Sequence, residues 1–397
     1  MPTRRDFLKT SSLLALAPSV PAFLAKTARA AAPATDGRVL VVIQLGGGND
    51  GINTVVPCAD EGYARARREL RLARETLLKI SDSVGWHPAM QGAARLFDSG
   101  RLAIVQGVGY PNPSRSHEVS MAVWQTARFD AEEHKSFGWI GRALDAGPRR
   151  AAAAPGAMLI GNESPPVALR GRRSAASALS NLDDFMLNDP LPPVGLATES
   201  EPADIAAFIR RSALDARTTA ERLNELAHRV RTDGQYPPTE LARRLSLAAR
   251  LVKAGFETPI YYVIQPGYDT HAVQLPAHAN LLRELSGGLL AFLDDLAISG
   301  LAERVAVLVF SEFGRRVEEN GSLGTDHGTA APVFLAGAGV KAGLIGAAPS
   351  LVDLVDGDLK MSIDFRRVYA SVLEQWLGIP SADILGEKFE PLAAFKK

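Results

Sequence analysis

The sequence has little of what several classes of protein require. Its 397 residues include one cysteine, Cys58, so no disulfide can form within the chain. Basic and acidic residues are equal at 44 each, and this balance argues against the broad positive surface with which proteins bind nucleic acid. No uncharged run reaches the ~20 residues that a membrane-spanning helix needs. Hydrophobic residues are plentiful, at 46%, so the chain can bury a large core.

The N-terminus has the pattern of an export signal. Arg4-Arg5 precedes a modest apolar stretch from Leu13 to Leu24, and Ala28-Arg29-Ala30 forms a small-x-small cleavage site. The apolar stretch is too short to anchor the chain in a bilayer. We therefore expect residues 1–30 to be a twin-arginine signal peptide that the twin-arginine translocase recognises. The mature protein would then be periplasmic or secreted, with no stable membrane span.

Short apolar runs alternate with helical patterns along the rest of the chain. Strands are predicted at Val39–Leu45, Leu102–Val108, Ala157–Ile160, Pro259–Ile264, Arg304–Phe310 and Pro332–Ala336. Helices are predicted at Asp60–Leu70, Pro88–Phe97, Glu118–Ala127, Pro276–Ile298 and Phe365–Leu377. This alternation predicts an α/β fold with a mostly parallel sheet covered by helices on both faces.

Two stretches interrupt that alternation. Residues 130–200 are rich in Ala, Pro, Ser and Asn, and Glu201–Gly255 has the pattern of two amphipathic helices broken near Tyr236-Pro237-Pro238. We expect residues 31–397 to form a single α/β domain in which residues 130–255 are an insertion that contributes a helical cap.

The stretch RVLVVIQLGGGNDG, residues 38–51, matches G-x-G-x-x-G at Gly46, Gly48 and Gly51. A dinucleotide-binding fingerprint requires a helix directly after the third glycine and an acidic residue about 20 residues later. The residues after Gly51 instead look extended, and Asp50 would repel a phosphate. The loop is better interpreted as a strand end that delivers a carboxylate, which either binds a metal or caps its own turn.

A second polar cluster, GYPNPSRSHEVS at residues 109–120, lies between a predicted strand and a predicted helix. Ser114 or Ser116 near the helix start could be a cap or a nucleophile. Arg115 supplies a guanidinium suited to oxyanions, and His117 an imidazole that can donate, accept or bind a metal.

Two more clusters follow strands further along the chain. Asp269 and His271 are separated by one residue, and a paired carboxylate and imidazole suit Zn, Mn or Fe. Glu312 ends another strand, Arg315 follows it, and His327 lies in a Gly-rich loop. Each residue alone can be explained without a function, as a cap of a turn or helix or as a solvated side chain. Because the carboxyl ends of strands form the functional crevice of an open α/β sheet, their shared placement indicates a metal-assisted hydrolytic site.

Four stretches, LVVIQLGGGNDGINTVVP, GYPNPSRSHEVSMAVWQTA, GYDTHAVQ and FSEFGRRVEENGSLGTDHGTAAPVFLAG, carry a family resemblance. Behind a twin-arginine signal, they closely resemble the bacterial domain of unknown function 1501 family over essentially all of the mature chain. That family is similar to the alkaline phosphatase and sulfatase superfamily. The resemblance implies an alkaline-phosphatase-like fold, with a large doubly wound sheet and metals at its strand ends.

The resemblance also implies roles for single residues. Metal ligands are implied at Asp50, Asp269, His271, Glu312 and His327, and Ser116 matches the serine or threonine nucleophile. The sequence departs from the superfamily pattern in the one-residue spacing of Asp269 and His271 and in Phe313, which stands where a histidine usually follows the strand-end acid. Pro111 holds the place of the formylglycine precursor, which argues against a formylglycine-dependent sulfatase.

These observations predict an exported metal-dependent hydrolase of phosphate or sulfate esters. A divalent metal, Zn, Mn, Mg or Ca, would activate Ser116 or a water, while Arg115 or Arg315 binds the anionic ester and His117 protonates the leaving group. The alternative is an exported accessory or binding protein that uses the same fold without turnover. A nicotinamide-dependent enzyme would rest on the glycine pattern alone.

Overall fold

The computed structural model describes residues 37–130, 132–133, 136–147, 155–174, 176–181, 232 and 234–396. The signal peptide expected at residues 1–30 and the first of the two helices expected in the insertion lie outside these residues.

Nine strands of the described residues form the main sheet. They are β1 (Val39–Gly46), β2 (Leu102–Gly109), β3 (Ala157–Ile160), β4 (Ala176–Leu179), β5 (Ile260–Pro266), β6 (Val305–Ser311), β7 (Ala331–Ala336), β8 (Gly343–Ile345) and β9 (Ile363–Asp364). Their order is β8-β2-β7-β6-β1-β5-β3-β4, and β9 also pairs with β2. All six strands predicted from the sequence are confirmed, each within two residues at either end, and so is the large, mostly parallel sheet.

Strand direction decides which loops meet. β7 runs antiparallel to both of its neighbours, β6 and β2, and all other pairs in the sheet are parallel. The carboxyl ends of β1, β2, β5 and β6 therefore lie at one edge. The residues that lead into β7 start from the same edge, because β7 points the other way.

Helices pack on both faces of this sheet. They are α1 (Gly51–Thr54), α2 (Glu61–Ala66), α3 (Gln91–Asp98), α4 (His117–Thr126), α5 (Trp139–Ala146), α6 (Glu240–Lys253), α7 (Gln274–Ile298), α8 (Phe365–Ser371) and α9 (Ala382–Leu385). Single turns of 3-10 helix occur at Arg74–Thr76, Val167–Leu169 and Ala302–Arg304, and a π-helix at Val372–Trp376 continues α8. Short strands pair outside the main sheet at Val55–Val56, Leu78–Lys79 and Gly85–Trp86, and at Leu354–Val355 and Asp358–Leu359.

The central strand shows why the sheet is covered twice. Side chains of successive residues point to opposite faces of a strand, so an apolar run such as that of β1 needs a core on each side. Val41 and Ile43 belong to one hydrophobic core, and Leu40 and Val42 belong to the other. In the described part of the chain, no helix combines the length and the apolar character that a membrane span requires.

Two local predictions were wrong in detail. The residues after Gly51 are not extended at first but form the single turn α1. The helix expected over Asp60–Leu70 ends at Ala66, because Arg67 leaves helical geometry and its side chain enters the protein interior, where it is fully buried. The second insertion helix is confirmed as α6.

Candidate metal centre

Three histidines surround one carboxylate oxygen at the carboxyl edge of the sheet. The Nε2 atoms of His117, His271 and His327 lie 3.4, 3.0 and 3.1 Å from Oδ1 of Asp269. Nε2 of His271 and Nε2 of His327 are 2.9 Å apart. Asp269 and His271 follow β5, His117 opens α4 after β2, and His327 leads into β7. Four separate imidazole and carboxylate groups therefore point their ligand atoms at one small volume.

The outer nitrogen of each imidazole faces an oxygen. Nδ1 of His117 lies 2.9 Å from Oε1 of Glu312, Nδ1 of His271 lies 3.2 Å from Oδ1 of Asp326, and Nδ1 of His327 lies 2.8 Å from the carbonyl oxygen of Arg115. A carbonyl oxygen or an ionised carboxylate can only accept, so each Nδ1 carries the proton. In the neutral rings, the Nε2 lone pairs then face inward, which is the arrangement that proteins use to orient metal-binding histidines.

The distances among these atoms fit a single transition metal ion. Donor atoms about 2.0–2.1 Å from an ion are separated by about 2.9 Å in an octahedron and by about 3.3 Å in a tetrahedron. The three distances to Oδ1 of Asp269 and the distance between Nε2 of His271 and Nε2 of His327 run from 2.9 to 3.4 Å. The ligand atoms of His117, Asp269 and His327 all lie within 4.8 Å of one another. Nε2 of His117 is buried and has no hydrogen-bond partner, so the protein leaves that atom unsatisfied. A set of imidazole nitrogens and one carboxylate suits Zn, Mn or Fe. Mg and Ca prefer ligands that are all oxygen atoms.

Arg315 holds the central carboxylate in place. Its NH2 group donates to Oδ1 of Asp269 at 2.7 Å. Burial alone would raise the pKa of Asp269, but the hydrogen bond and the charge of Arg315 do most to outweigh it, and that pKa falls to about 2. The side chain of Arg315 is wholly buried and also donates to the carbonyl oxygens of Gly47, Gly48, Tyr268 and Thr325. This differs from the expected role of Arg315 in binding the ester, because no donor is left facing solvent.

Glu312 binds the outer nitrogen of His117 and does not join the ligand atoms. Oε1 accepts from the backbone N–H of Gly47 at 2.8 Å and from His117, and Oε2 accepts from the Ser311 hydroxyl at 3.0 Å. The hydrogen bond that Nδ1 of His117 donates to Glu312 is the main cause of a raised pKa at His117, and the charges of Glu312 and Asp269 add to it. The structure thus places Glu312, expected to be a ligand, where it orients His117, and places His117, expected to be a general acid, among the ligand atoms.

Asp50 is not brought into this group. Its carboxylate forms a fully buried ion pair with Arg67, with NH1 2.5 Å from Oδ2 and NH2 3.0 Å from Oδ1. Burial alone would raise the pKa of Asp50, but the charge and hydrogen bonds of Arg67 outweigh it and lower that pKa. The guanidinium supplies the positive charge that a metal ion was expected to supply, which corrects the interpretation of Asp50 as a ligand.

Gln274 connects that ion pair to the loops that carry the histidines. Its amide nitrogen donates to Oδ2 of Asp50 at 2.5 Å, and its amide oxygen accepts from the hydroxyls of Thr270 at 3.0 Å and Thr325 at 2.6 Å. Thr270 directly precedes His271, and Thr325 stands two residues before His327. Because Gln274 is wholly buried, these three bonds fix the two loops against each other.

The remaining expected residues lie at the rim. Ser116 is exposed, is the N-cap residue of α4 and makes no capping hydrogen bond through its hydroxyl, and it directly precedes His117. The hydroxyl of Ser114 accepts from the N–H of Ser116. The guanidinium of Arg115 is turned to Asp358, with Nε 2.8 Å and NH2 2.5 Å from Oδ2. Of the expected groups, Ser116 alone offers an unengaged nucleophile next to a ligand residue.

The sequence comparison decides the family. The model of a family described as protein of unknown function (DUF1501) matches residues 37–385. The chain belongs to the DUF1501 family. This confirms the resemblance inferred from the four motif stretches, and no curated protein matches this DUF1501 chain.

Several solved structures are similar to the DUF1501 fold at low identity. The integral membrane protein lipooligosaccharide phosphoethanolamine transferase A from Neisseria meningitidis has a TM-score of 0.38 and 11% identity, with 77% of this chain and 49% of that chain covered. This chain thus spans about half the length of that transferase. The C-terminal periplasmic domain of EcEptC from Escherichia coli, in complex with Zn, has a TM-score of 0.37 and 10% identity, with 76% and 74% covered.

A protein in the alkaline phosphatase superfamily from Vibrio parahaemolyticus also matches, with a TM-score of 0.35 and 8% identity over 82% of this chain and 67% of that chain. At these TM-scores the likeness assigns neither a substrate nor a site to the DUF1501 chain, whose chemistry follows from its own residues.

Proposed function

We propose that this DUF1501 protein is an exported, metal-dependent hydrolase of phosphate or sulfate esters. The observation that carries the proposal is the convergence of three Nε2 atoms on Oδ1 of Asp269, each with its outer nitrogen bound to an oxygen. Export rests on the Arg4-Arg5 pattern and the cleavage site before residue 31.

The residues present fit one divalent ion, held by His117, Asp269 and His327, with the imidazole of His271 in contact with Asp269 and His327. Such an ion supplies Lewis acidity toward an ester oxygen. Glu312, Asp326 and the Arg115 carbonyl hold the three rings in the tautomer that presents Nε2. Ser116, exposed beside His117, provides a hydroxyl that would attack phosphorus or sulfur while the bond to the alcohol oxygen breaks. The serine proton would end on the departing alcohol, and water would then release phosphate or sulfate from Ser116; alternatively, Ser116 would position a water that attacks directly.

Hydrolysis of p-nitrophenyl phosphate and p-nitrophenyl sulfate by the purified protein, with Zn or Mn supplied, tests this function. We expect turnover of one of the two esters that EDTA abolishes, and a His327→Ala variant at least about 100-fold slower, because Lewis-acid stabilisation is worth several kcal/mol. A protein that binds the metal but hydrolyses neither ester would instead be the accessory protein that shares this fold.

Gln274 offers a second test of the metal centre. Replacing it by methionine removes the bonds to Asp50, Thr270 and Thr325, and we expect Zn affinity to fall about 10–100-fold, as when groups that orient metal ligands are lost. Gln106→Met is the matched control, since Gln106 is also a buried glutamine but its amide donates to Gly346. Calorimetric Zn titration of both variants should show a loss in the first alone; equal Zn affinities would contradict the assignment.

A further inference from the structure

Val273 combines an unfavourable backbone conformation, an unfavourable position at a helix end and an exposed apolar side chain. It has a positive φ of 45°, a conformation that a β-branched side chain rarely adopts. It is also the N-cap residue of α7, a position where valine is among the least favourable residues. Its side chain is 61% exposed, so no packing within the described structure compensates for the strain. Residues that violate local preference without compensation are concentrated at functional sites.

Leu323 repeats the pattern directly opposite. Its φ is 59° and the residue is 47% exposed. The N–H of Val273 donates to the carbonyl oxygen of Ser322 at 3.1 Å, and the N–H of Gln274 donates to that of Leu323 at 2.8 Å. Two strained, exposed aliphatic residues therefore stand side by side, and we call Val273 and Leu323 the apolar lip.

The apolar lip belongs to the two loops that build the metal centre. Val273 lies two residues after His271, and Leu323 lies four residues before His327. Asn320 ties the loops together, since its amide donates to the carbonyl oxygen of His271 at 3.0 Å and to Oδ1 of Asp326 at 3.1 Å. Gly324 packs so closely on His271 that an added Cβ would lie 2.2 Å from the carbonyl carbon of His271. The apolar lip and two of the three histidines, His271 and His327, thus lie on the same pair of tied loops.

We propose that the apolar lip binds the organic group of the ester, so that the enzyme favours esters of aromatic alcohols over those of small polar alcohols. This rests on the proposed function, which places the anionic group at the histidines. Two side chains match a single ring, whereas a stable protein partner needs about 1,200–2,000 Å² of buried surface. A hydrophobic contact beside an anion site gives selectivity that the metal centre alone does not.

Asparagine substitutions separate binding from structural roles, because asparagine tolerates positive φ and is a favoured N-cap residue. We expect Val273→Asn/Leu323→Asn to bind phenylphosphonate about tenfold more weakly in calorimetry, since apolar area at the lip is lost. Binding of inorganic phosphate should be unchanged. The Tm should rise by about 1–2 °C as strain is released, the opposite of what a purely structural role predicts.

Val352→Asn is the matched control, because Val352 is 70% exposed and is not among the residues with positive φ. It should change neither affinity nor selectivity. The proposed role of the apolar lip would be overturned if the double variant and the wild type bound phenylphosphonate with equal affinity. Equal losses of affinity for phenylphosphonate and phosphate would also overturn it. Neither result would contradict the proposed hydrolase function. A wild-type protein loaded with Zn that binds neither anion would overturn the proposed function and the lip with it.

Discussion

Replacing Asp269 and His271 together by alanine is expected to abolish Zn binding at concentrations up to about 100 times the wild-type Kd. The double variant removes the central carboxylate and one imidazole, and the two remaining imidazoles are too few to hold the ion tightly. Both residues are half exposed, so the fold should survive. The measurement is equilibrium dialysis followed by mass spectrometry of the metal.

A control variant shows that the loss is local. Asp353→Ala removes another exposed carboxylate, one that pairs with Lys360 outside the cluster, and should keep full Zn stoichiometry. Circular dichroism of all three proteins should be superimposable. An Asp269→Ala/His271→Ala protein that still bound one equivalent of Zn with wild-type affinity would refute the site.

Arg67→Met is expected to have the largest effect on stability, a loss of about 3–5 kcal/mol in the free energy of unfolding. The substitution leaves the carboxylate of Asp50 buried without its guanidinium partner, and the carbonyl oxygens of Val317 and Arg316 also lose their donor. Urea unfolding at pH 7 measures the loss. A change below about 1 kcal/mol would mean that the pair is not buried in solution.

The double variant Arg67→Met/Asp50→Leu provides the control. Replacing both charges by apolar groups should recover much of the lost stability, because the uncompensated charge is gone. The pH dependence has a defined sign. Arg67 lowers the pKa of Asp50 in the folded protein below the value of ~3.9 that it has in the unfolded chain. The ion pair therefore makes its full contribution to stability above pH ~3.9. That contribution is lost as the pH falls through the lower pKa of Asp50 in the folded protein.

Much of the fold could be predicted from the sequence. β1, β2, β5 and β6 are apolar runs bounded by turn residues, and such runs predict buried strands well. The placement of Asp269 and His271 at this edge followed from their position after β5, whereas His327 lies there because β7 runs the other way. The reversed direction of β7 could not be predicted, because an antiparallel strand covered on both faces has the same apolar pattern as a parallel one.

The separate roles of the acidic residues could not be predicted either. Arg67 lies in the run RARREL, where five neighbouring positions give no sign of which side chain is buried. Its pairing with Asp50 depends on the end of α2 and on carbonyl oxygens 249 and 250 residues away. The contact of Glu312 with His117 spans 195 residues, so local spacing held no information about it. Resemblance suggested that Asp50 and Glu312 bind metal directly, whereas their oxygens are engaged by the protein itself.

The most direct test of the central claim is the metal content of the purified protein, measured by mass spectrometry after dialysis against metal-free buffer and reloading with Zn, Mn, Mg or Ca. The arrangement of His117, Asp269, His271 and His327 predicts one tightly bound equivalent of Zn or Mn and no retained Mg or Ca. A protein that retains none of the four ions would contradict the metal centre.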